Sequence, residues 1–460
     1  MSLCLLAACV WGLLPLQAGT RPGPAAEPPR AEVAGAKVTF LDYHGPATFA
    51  ATVRGKRELA IEVDPRGERG PLVLGVELPA SALGSWVADV VVVDSIGRPL
   101  RVRRSGIEWH KLAVPVPAER GTYVVRAVEP PGGRLQVFSD KEREAVDPTT
   151  GLKAAIARWH KGRTAALSIR FDDSHPTHLS TAIPILREFG FRGTFMVCPG
   201  KREPNSRRRS DFEEHFADWQ AVARRGDQEF ANHSAHHRGA TGDEDMDAEI
   251  GEAAKAIWEL FPGKSKLLAL NLGGGTTWET TRPLRYYLDK YCLFDASSGS
   301  LGMDDVYGDR PAAFREHLER HLERGLWCRI HFHAIGQHPG SSEANFRAAL
   351  AIAKQHEPDL WIAGMADIYK YQTERQAAKI ELRAEAPRRV LLKLSCGTDP
   401  QLYDQPLTIE VVLPPAWPED QVKIKPVEPQ AASVPAAADA RTIRFHVPPI
   451  TSNYAIEGPP

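Results

Sequence analysis

Apolar residues are spaced in three different ways along the chain, and the places where the spacing changes divide it. Between residues 37 and 147 the apolar runs are short: Lys37-Val38-Thr39-Phe40-Leu41, Glu58 to Val63 and Val87 to Val93, bounded by turn clusters such as Asp94-Ser95-Ile96-Gly97-Arg98-Pro99. Such runs between turn residues predict strands, here a β-rich, sandwich-like N-terminal domain over 37–147. From about Gly151 the pattern changes. Ala165 to Phe171 reads as a buried strand, Ser180 to Phe189 as a short helix stopped by Gly190 with Pro184 delaying or kinking its start, and Thr194 to Val197 as a second strand. Thr241-Gly242-Asp243-Glu244 predicts a capping box opening an amphipathic helix with Met246, Ile250, Ile257 and Leu260 on one side. Strand and helix alternate to about Tyr371, which favours a parallel α/β barrel or a doubly wound sheet over 151–375. Strands return over 378–460, at Lys379 to Ala384, Arg389 to Leu394, Leu407 to Leu413 and Thr442 to Val447, interrupted by a Pro/Ala-rich loop from Pro429 to Ala438. They predict a C-terminal β-rich domain.

Composition adjusts this picture only at its ends. A chain of 460 residues suggests two or three domains, and 43% apolar with 25% charged residues supplies sizeable cores. The net charge of -1 excludes a nucleic-acid partner held mainly by electrostatics. Residues 1–18 read as a secretory signal peptide, an apolar run ending at Gln17-Ala18-Gly19, although no Lys or Arg stands at its start. Residues 19–36, rich in Pro, Ala and Gly, read as a flexible linker. The expected location is therefore secreted, periplasmic or cell-envelope, with no stable membrane span after signal cleavage. Beyond the signal, Cys198, Cys292, Cys328 and Cys396 match no zinc ribbon or disulfide framework and read as buried apolar residues without a catalytic role.

The chemistry concentrates in two strings, Arg170-Phe171-Asp172-Asp173-Ser174 and His233-Ser234-Ala235-His236-His237. A divalent metal is commonly held by a few imidazole and carboxylate ligands with one position left for water, and Asp173, His233 and His237 supply such a set. A neighbouring carboxylate that is not a ligand can act as base, the role for which Asp172 is placed. Adjacent carboxylates at a strand end point in different directions. On a helical turn, His233 and His237 would share one face, and His236 at i+3 stays open as an alternative second ligand.

These motifs resemble those of polysaccharide deacetylases of the carbohydrate esterase family 4 type, over roughly Thr164 to Arg375. Phe171-Asp172-Asp173 followed by Gly193-Thr194-Phe195-Met196 is similar to the family's first motif, and His233 to His237 to its His-Ser-x-x-His metal motif. Ile330-His331-Phe332-His333-Ala334-Ile335-Gly336 resembles the late strand carrying its catalytic acid histidine. The resemblance implies a distorted parallel (β/α) barrel flanked by the two β-rich domains. It also implies Asp172 as base, Asp173, His233 and His237 as ligands of a divalent metal, and His333 as acid. Zinc is the first choice of metal, with cobalt or another divalent ion also accommodated. Arg329, His331 and His333 share one face of that strand, with His331 deeper than His333.

One motif departs from the family pattern. Where the family has an Arg-x-Pro-aromatic stretch, the chain has Ala269-Leu270-Asn271-Leu272-Gly273-Gly274, with neither arginine nor proline. A backbone N–H at Leu272 could still bind an oxyanion. The missing guanidinium is expected from Arg170, two residues before Asp172 and so on the same strand face. Asp295 lies where the family often has an acid that tunes the catalytic histidine.

The function expected is thus metal-dependent removal of acetyl groups, from nitrogen or oxygen, on a poly- or oligosaccharide, with an acetylated glycan as partner. A metal hydrolase of a non-sugar amide or ester, a lapsed enzyme that binds glycan, and a structural surface protein are the other readings. The glycan, its linkage and the oligomeric state are open at this level.

Overall fold

The computed structural model describes residues 27–459 apart from 42–44, 56, 68–69, 80–86, 130–132, 202–210, 263, 429–433 and 440. The expected signal peptide lies outside the described residues. Ala165–Phe171 is buried at every position, because parallel neighbours flank it and its side chains pack into the core. Its sheet runs Leu293–Asp295, Leu268–Leu270, Glu229–Asn232, Thr194–Val197, Ala165–Phe171, Trp327–Phe332 and Leu301–Gly302, with Leu360–Ile362 pairing the start of Ala165–Phe171. Every pair in it is parallel. Helices such as Asp243–Leu260, Arg310–Arg324 and Glu343–Gln355 separate the strands and pack on the sheet through Ile250, Phe314, Phe346 and their neighbours. This is a distorted (β/α) barrel with β-rich sheets on either side.

On the N-terminal side, two antiparallel sheets enclose one core of residues such as Val38, Leu74 and Val114 from one sheet and Ile61, Val92 and Val125 from the other. Its longer sheet ends on a barrel segment, Thr277–Thr280, paired with Val102–Ser105. Trp109 then inserts into the barrel core. The N-terminal sheet therefore abuts the loop 271–276, where the Gly106 N–H donates to the Thr276 carbonyl at 3.3 Å.

The domain edges differ from those expected. Arg30–Val33 is a strand paired with Ala36–Leu41, inside the stretch read as a linker. Glu144–Val146 and Lys153–Ile156 join the C-terminal sheet through Leu407–Val412, so its first strands come from before the barrel. Val434–Asp439 is not a loop but an antiparallel partner of Thr442–Val447. The expected capping box is also displaced: the Asp243–Leu260 helix is capped by Gly242, and the Asp245 carboxylate accepts the Thr241 N–H at 2.9 Å. Asp243 instead accepts the Tyr287 hydroxyl at 2.8 Å.

Candidate metal and catalytic site

The site lies at the carboxyl ends of the parallel strands, where loops can turn polar side chains inward without breaking the ladder. Asp172 follows Ala165–Phe171, and its N–H still reaches the Phe332 carbonyl at 2.9 Å. The chain then leaves the strand sharply. Asp173 and Ser174 have φ of 74° and 56°, while Ser234 and His237 have 61° and 51°. Four of the nine non-glycine residues with positive φ among the described residues thus stand here, and such conformations cost free energy that surrounding contacts must offset.

Those contacts are visible around the His pair. His233 and His237 do not share a helical face as expected, because the segment is a tight non-helical turn. Asn232 Oδ1 accepts the Ser234 N–H at 2.9 Å, and Ser234 Oγ accepts the His237 N–H at 3.0 Å. A Cβ at Gly273, whose φ is +83°, would lie 2.2 Å from His237 Nε2, so glycine is required for the approach. His233 Nε2 and His237 Nε2 lie 3.2 and 3.7 Å from Asp173 Oδ1. His236 turns away, with Nδ1 2.7 Å from Glu249 Oε1.

The donor set fits a divalent ion. One atom each from Asp173, His233 and His237 lies within 4.8 Å of the others. His233 Nδ1 is 2.8 Å from the Asn271 carbonyl, which can only accept, so the proton is on Nδ1 and the Nε2 lone pair faces Asp173. These are the nitrogen and oxygen donors that zinc-like ions take.

Asp172 is held differently. Arg170 Nη2 donates to its Oδ2 at 3.0 Å, and Arg170 Nε is 2.9 Å from Oδ1 at an angle poor for a hydrogen bond. Asn271 Nδ2 also donates to Oδ2, at 3.2 Å. Oδ1 is buried with no hydrogen-bond partner among the described residues. Burial pushes this carboxyl up, but the Arg170 guanidinium, with His233 and His331, outweighs it and holds the group below the usual carboxylate range.

Across the site, His333 Nε2 lies 3.9 Å from Asp173 Oδ2. Its Nδ1 is 2.5 Å from Asp304 Oδ2, and its N–H donates to Asp304 Oδ1 at 3.1 Å. The Asp304 hydrogen bond raises the His333 imidazole to about 9 against the opposing effect of burial. His331, deeper on the strand, is 3.1 Å from Ser300 Oγ and is pushed down to about 4 by burial and then by Arg170.

The polysaccharide deacetylase family model matches residues 160–285, the stretch that holds Asp172, Asp173, His233, His237 and Asn271. Over that stretch the chain is similar to polysaccharide deacetylases. It is also similar to a gellan lyase of a Bacillus species, 21% identical over 342 residues that make up 64% of this chain and 13% of that one. The chain thus spans about an eighth of that curated relative's length. Among solved structures it is similar to a family 4 carbohydrate esterase from Streptomyces lividans in complex with acetate, 20% identical over 44% of this chain and 94% of that one, TM-score 0.32. It is likewise similar to a peptidoglycan deacetylase from Bacillus subtilis, 13% identical over 48% and 96%, TM-score 0.33.

Two expectations about the site are corrected. Asp295 does not reach His333: it is exposed at the end of Leu293–Asp295 and accepts the Ser297 N–H at 3.0 Å. The carboxylate on His333 is Asp304, delivered by Leu301–Gly302, which pairs beside Trp327–Phe332. The Leu272 N–H is not open to an oxyanion, because Leu272 is buried and donates to Ser297 Oγ at 3.0 Å. Sequence reasoning also missed Asn271, although it stands in the stretch where an arginine was sought. Nothing local marks Asp304.

Proposed function

We propose that the protein is a metal-dependent deacetylase that hydrolyses acetyl amides or esters on a poly- or oligosaccharide. The match to the deacetylase family supports hydrolysis of acetylated sugars. The observation that carries the residue roles is the pairing of two groups on either side of the His-His-Asp set: Arg170 donates to the Asp172 carboxylate, and the Asp304 carboxylate holds His333 through Nδ1. Asp173, His233 and His237 would hold a divalent ion, zinc in the first instance, which lowers the pKa of water and draws charge from a carbonyl oxygen.

The chain's own residues then divide the proton work. Asp172 takes the proton of the attacking water through Oδ1, while Arg170 and Asn271 hold the carboxylate through Oδ2. His333 donates a proton to the leaving nitrogen or oxygen, and Asp304 keeps its Nδ1 side occupied so that Nε2 faces the reacting centre. Water and the acetylated sugar thereby become acetate and the free amine or hydroxyl.

A secreted or cell-envelope location fits a glycan substrate. Among the described residues no helix is long and apolar enough to cross a membrane. The engaged Leu272 N–H favours a second reading, a glycan binder that has lost turnover. Metal analysis with acetate release from a panel of acetylated glycans tests both: bound metal with acetate supports the enzyme, and bound metal without acetate supports the binder. Asp172→Asn should keep the metal and lower turnover by roughly two to four powers of ten.

A further inference from the structure

A second cluster of ligand atoms lies at the opposite end of the barrel. The helix Arg310–Arg324 is well defined by its ends: Asp309 accepts the Ala312 N–H at 3.1 Å, a proline stands in the first turn, and Gly325 closes the helix in the left-handed region. His317 and His321 are four residues apart on it, one turn above each other. The Leu326 N–H folds back onto the His321 carbonyl at 2.8 Å, and the chain re-enters the sheet as Trp327–Phe332. Cys328, its second residue and fully buried, is thereby carried under the last helical turns.

Three features make this arrangement more than packing. One ligand atom from each of His317, His321 and Cys328 lies within 4.8 Å of the other two. His321 Nδ1 is 2.6 Å from the His317 carbonyl, so its proton is committed there and Nε2 carries a lone pair. His317 Nε2 is buried with no hydrogen-bond partner among the described residues. A buried, unpartnered ring nitrogen is costly unless something binds it, and a metal ion would.

We propose that His317, His321 and Cys328 form a second metal site, for a zinc-class divalent ion, that staples the Arg310–Arg324 helix to the start of the Trp327–Phe332 strand. Two imidazoles and a thiolate suit zinc or cobalt, and the half-buried His321 leaves a path to solvent for a fourth ligand such as water. The site is separate from the catalytic one. Cys328 is the second residue of the strand and His333 follows its end, a span of about 16–17 Å at the usual strand rise. Its role is structural: it holds the helix against the amino end of the strand, away from His333.

Cobalt loading of the full chain tests this, because the Asp173, His233 and His237 set contains no sulfur. We expect two cobalt equivalents and a near-ultraviolet thiolate-to-cobalt charge-transfer band. His321→Gln and Cys328→Ser should each remove one equivalent and the band, whereas Asp173→Ala should remove the other equivalent and keep the band. A single equivalent without the band in the wild-type chain overturns the proposal, as does a band that survives both His321→Gln and Cys328→Ser. His321→Gln lies on a half-exposed helix face, so the test does not depend on the buried Cys328→Ser variant folding. The band is read without substrate and is independent of the deacetylase reading.

Discussion

The chain contains His-x-x-x-His twice in the barrel, and the two pairs are built in opposite ways. His317 and His321 sit on a regular helix, with the spacing and capping that predict it, and meet Cys328 at the amino end of a strand. His233 and His237 sit on a turn with positive φ at two of its residues, and meet Asp173 at the carboxyl ends. The helical pair costs the backbone nothing. The turn pair requires strain, Ser234 and Asn232 as braces, and a glycine at 273. Strain held in place by such bracing is characteristic of reactive sites, whereas a regular helix suits a structural clamp.

The largest effect expected is at the strained pair. Asp173→Ala should bring acetate release to background and remove the metal there, checked by metal analysis beside turnover; undiminished turnover would break the contrast. Next is Arg170→Ala, which leaves Asp172 buried without its charge partner. Stranding one member of a buried pair typically costs about 3–5 kcal/mol of stability. Turnover should fall roughly 10- to 100-fold while metal content stays near normal, read by steady-state kinetics and denaturant melts.

Asp304→Asn should act through pH. Asp304 raises His333 to about 9, so the acid form that donates the proton is present at neutral pH and is lost as pH rises through that value. Without the carboxylate the imidazole should titrate nearer its ordinary value, about 6.5. The alkaline limb of the pH-rate profile should therefore move to lower pH, with turnover at pH 8 reduced more than at pH 6. An unmoved limb would remove His333 as the acid. The smallest effect is expected at the helical pair: His321→Gln should leave acetate release within about twofold and lower only the metal-dependent part of thermal stability.

Legibility in the sequence followed how local each feature is. Asp172, Asp173, His233 and His237 stand in short strings whose residue types already imply a metal and a base, and the structure brings Asp173, His233 and His237 together with Asp172 next in the chain. Arg170 was legible because strand alternation puts residues two apart on one face, and its guanidinium is on Asp172. Asp304 was not legible, since it reaches His333 only because Leu301–Gly302 pairs beside Trp327–Phe332. Asp295 offered a plausible carboxylate closer to the family pattern, but its strand ends at the far edge of the sheet. The C-terminal sheet was legible as strands but not as a sheet, because Glu144–Val146 and Lys153–Ile156 enter it from across the barrel.

The amino-acid sequence by itself determined the alternation of strand and helix, the β-rich flanks and the candidate His-His-Asp set, because periodicity and short motifs depend on neighbours in the chain. Tertiary structure alone decided which carboxylate serves His333, that the Leu272 N–H is engaged, and that Cys328, read as an apolar residue, lies against two imidazoles. The physical reason is common to all three. Hydrogen bonds and metal ligands act over about 2–5 Å in space, and sequence separation carries no information on which distant residues the sheet register brings that close.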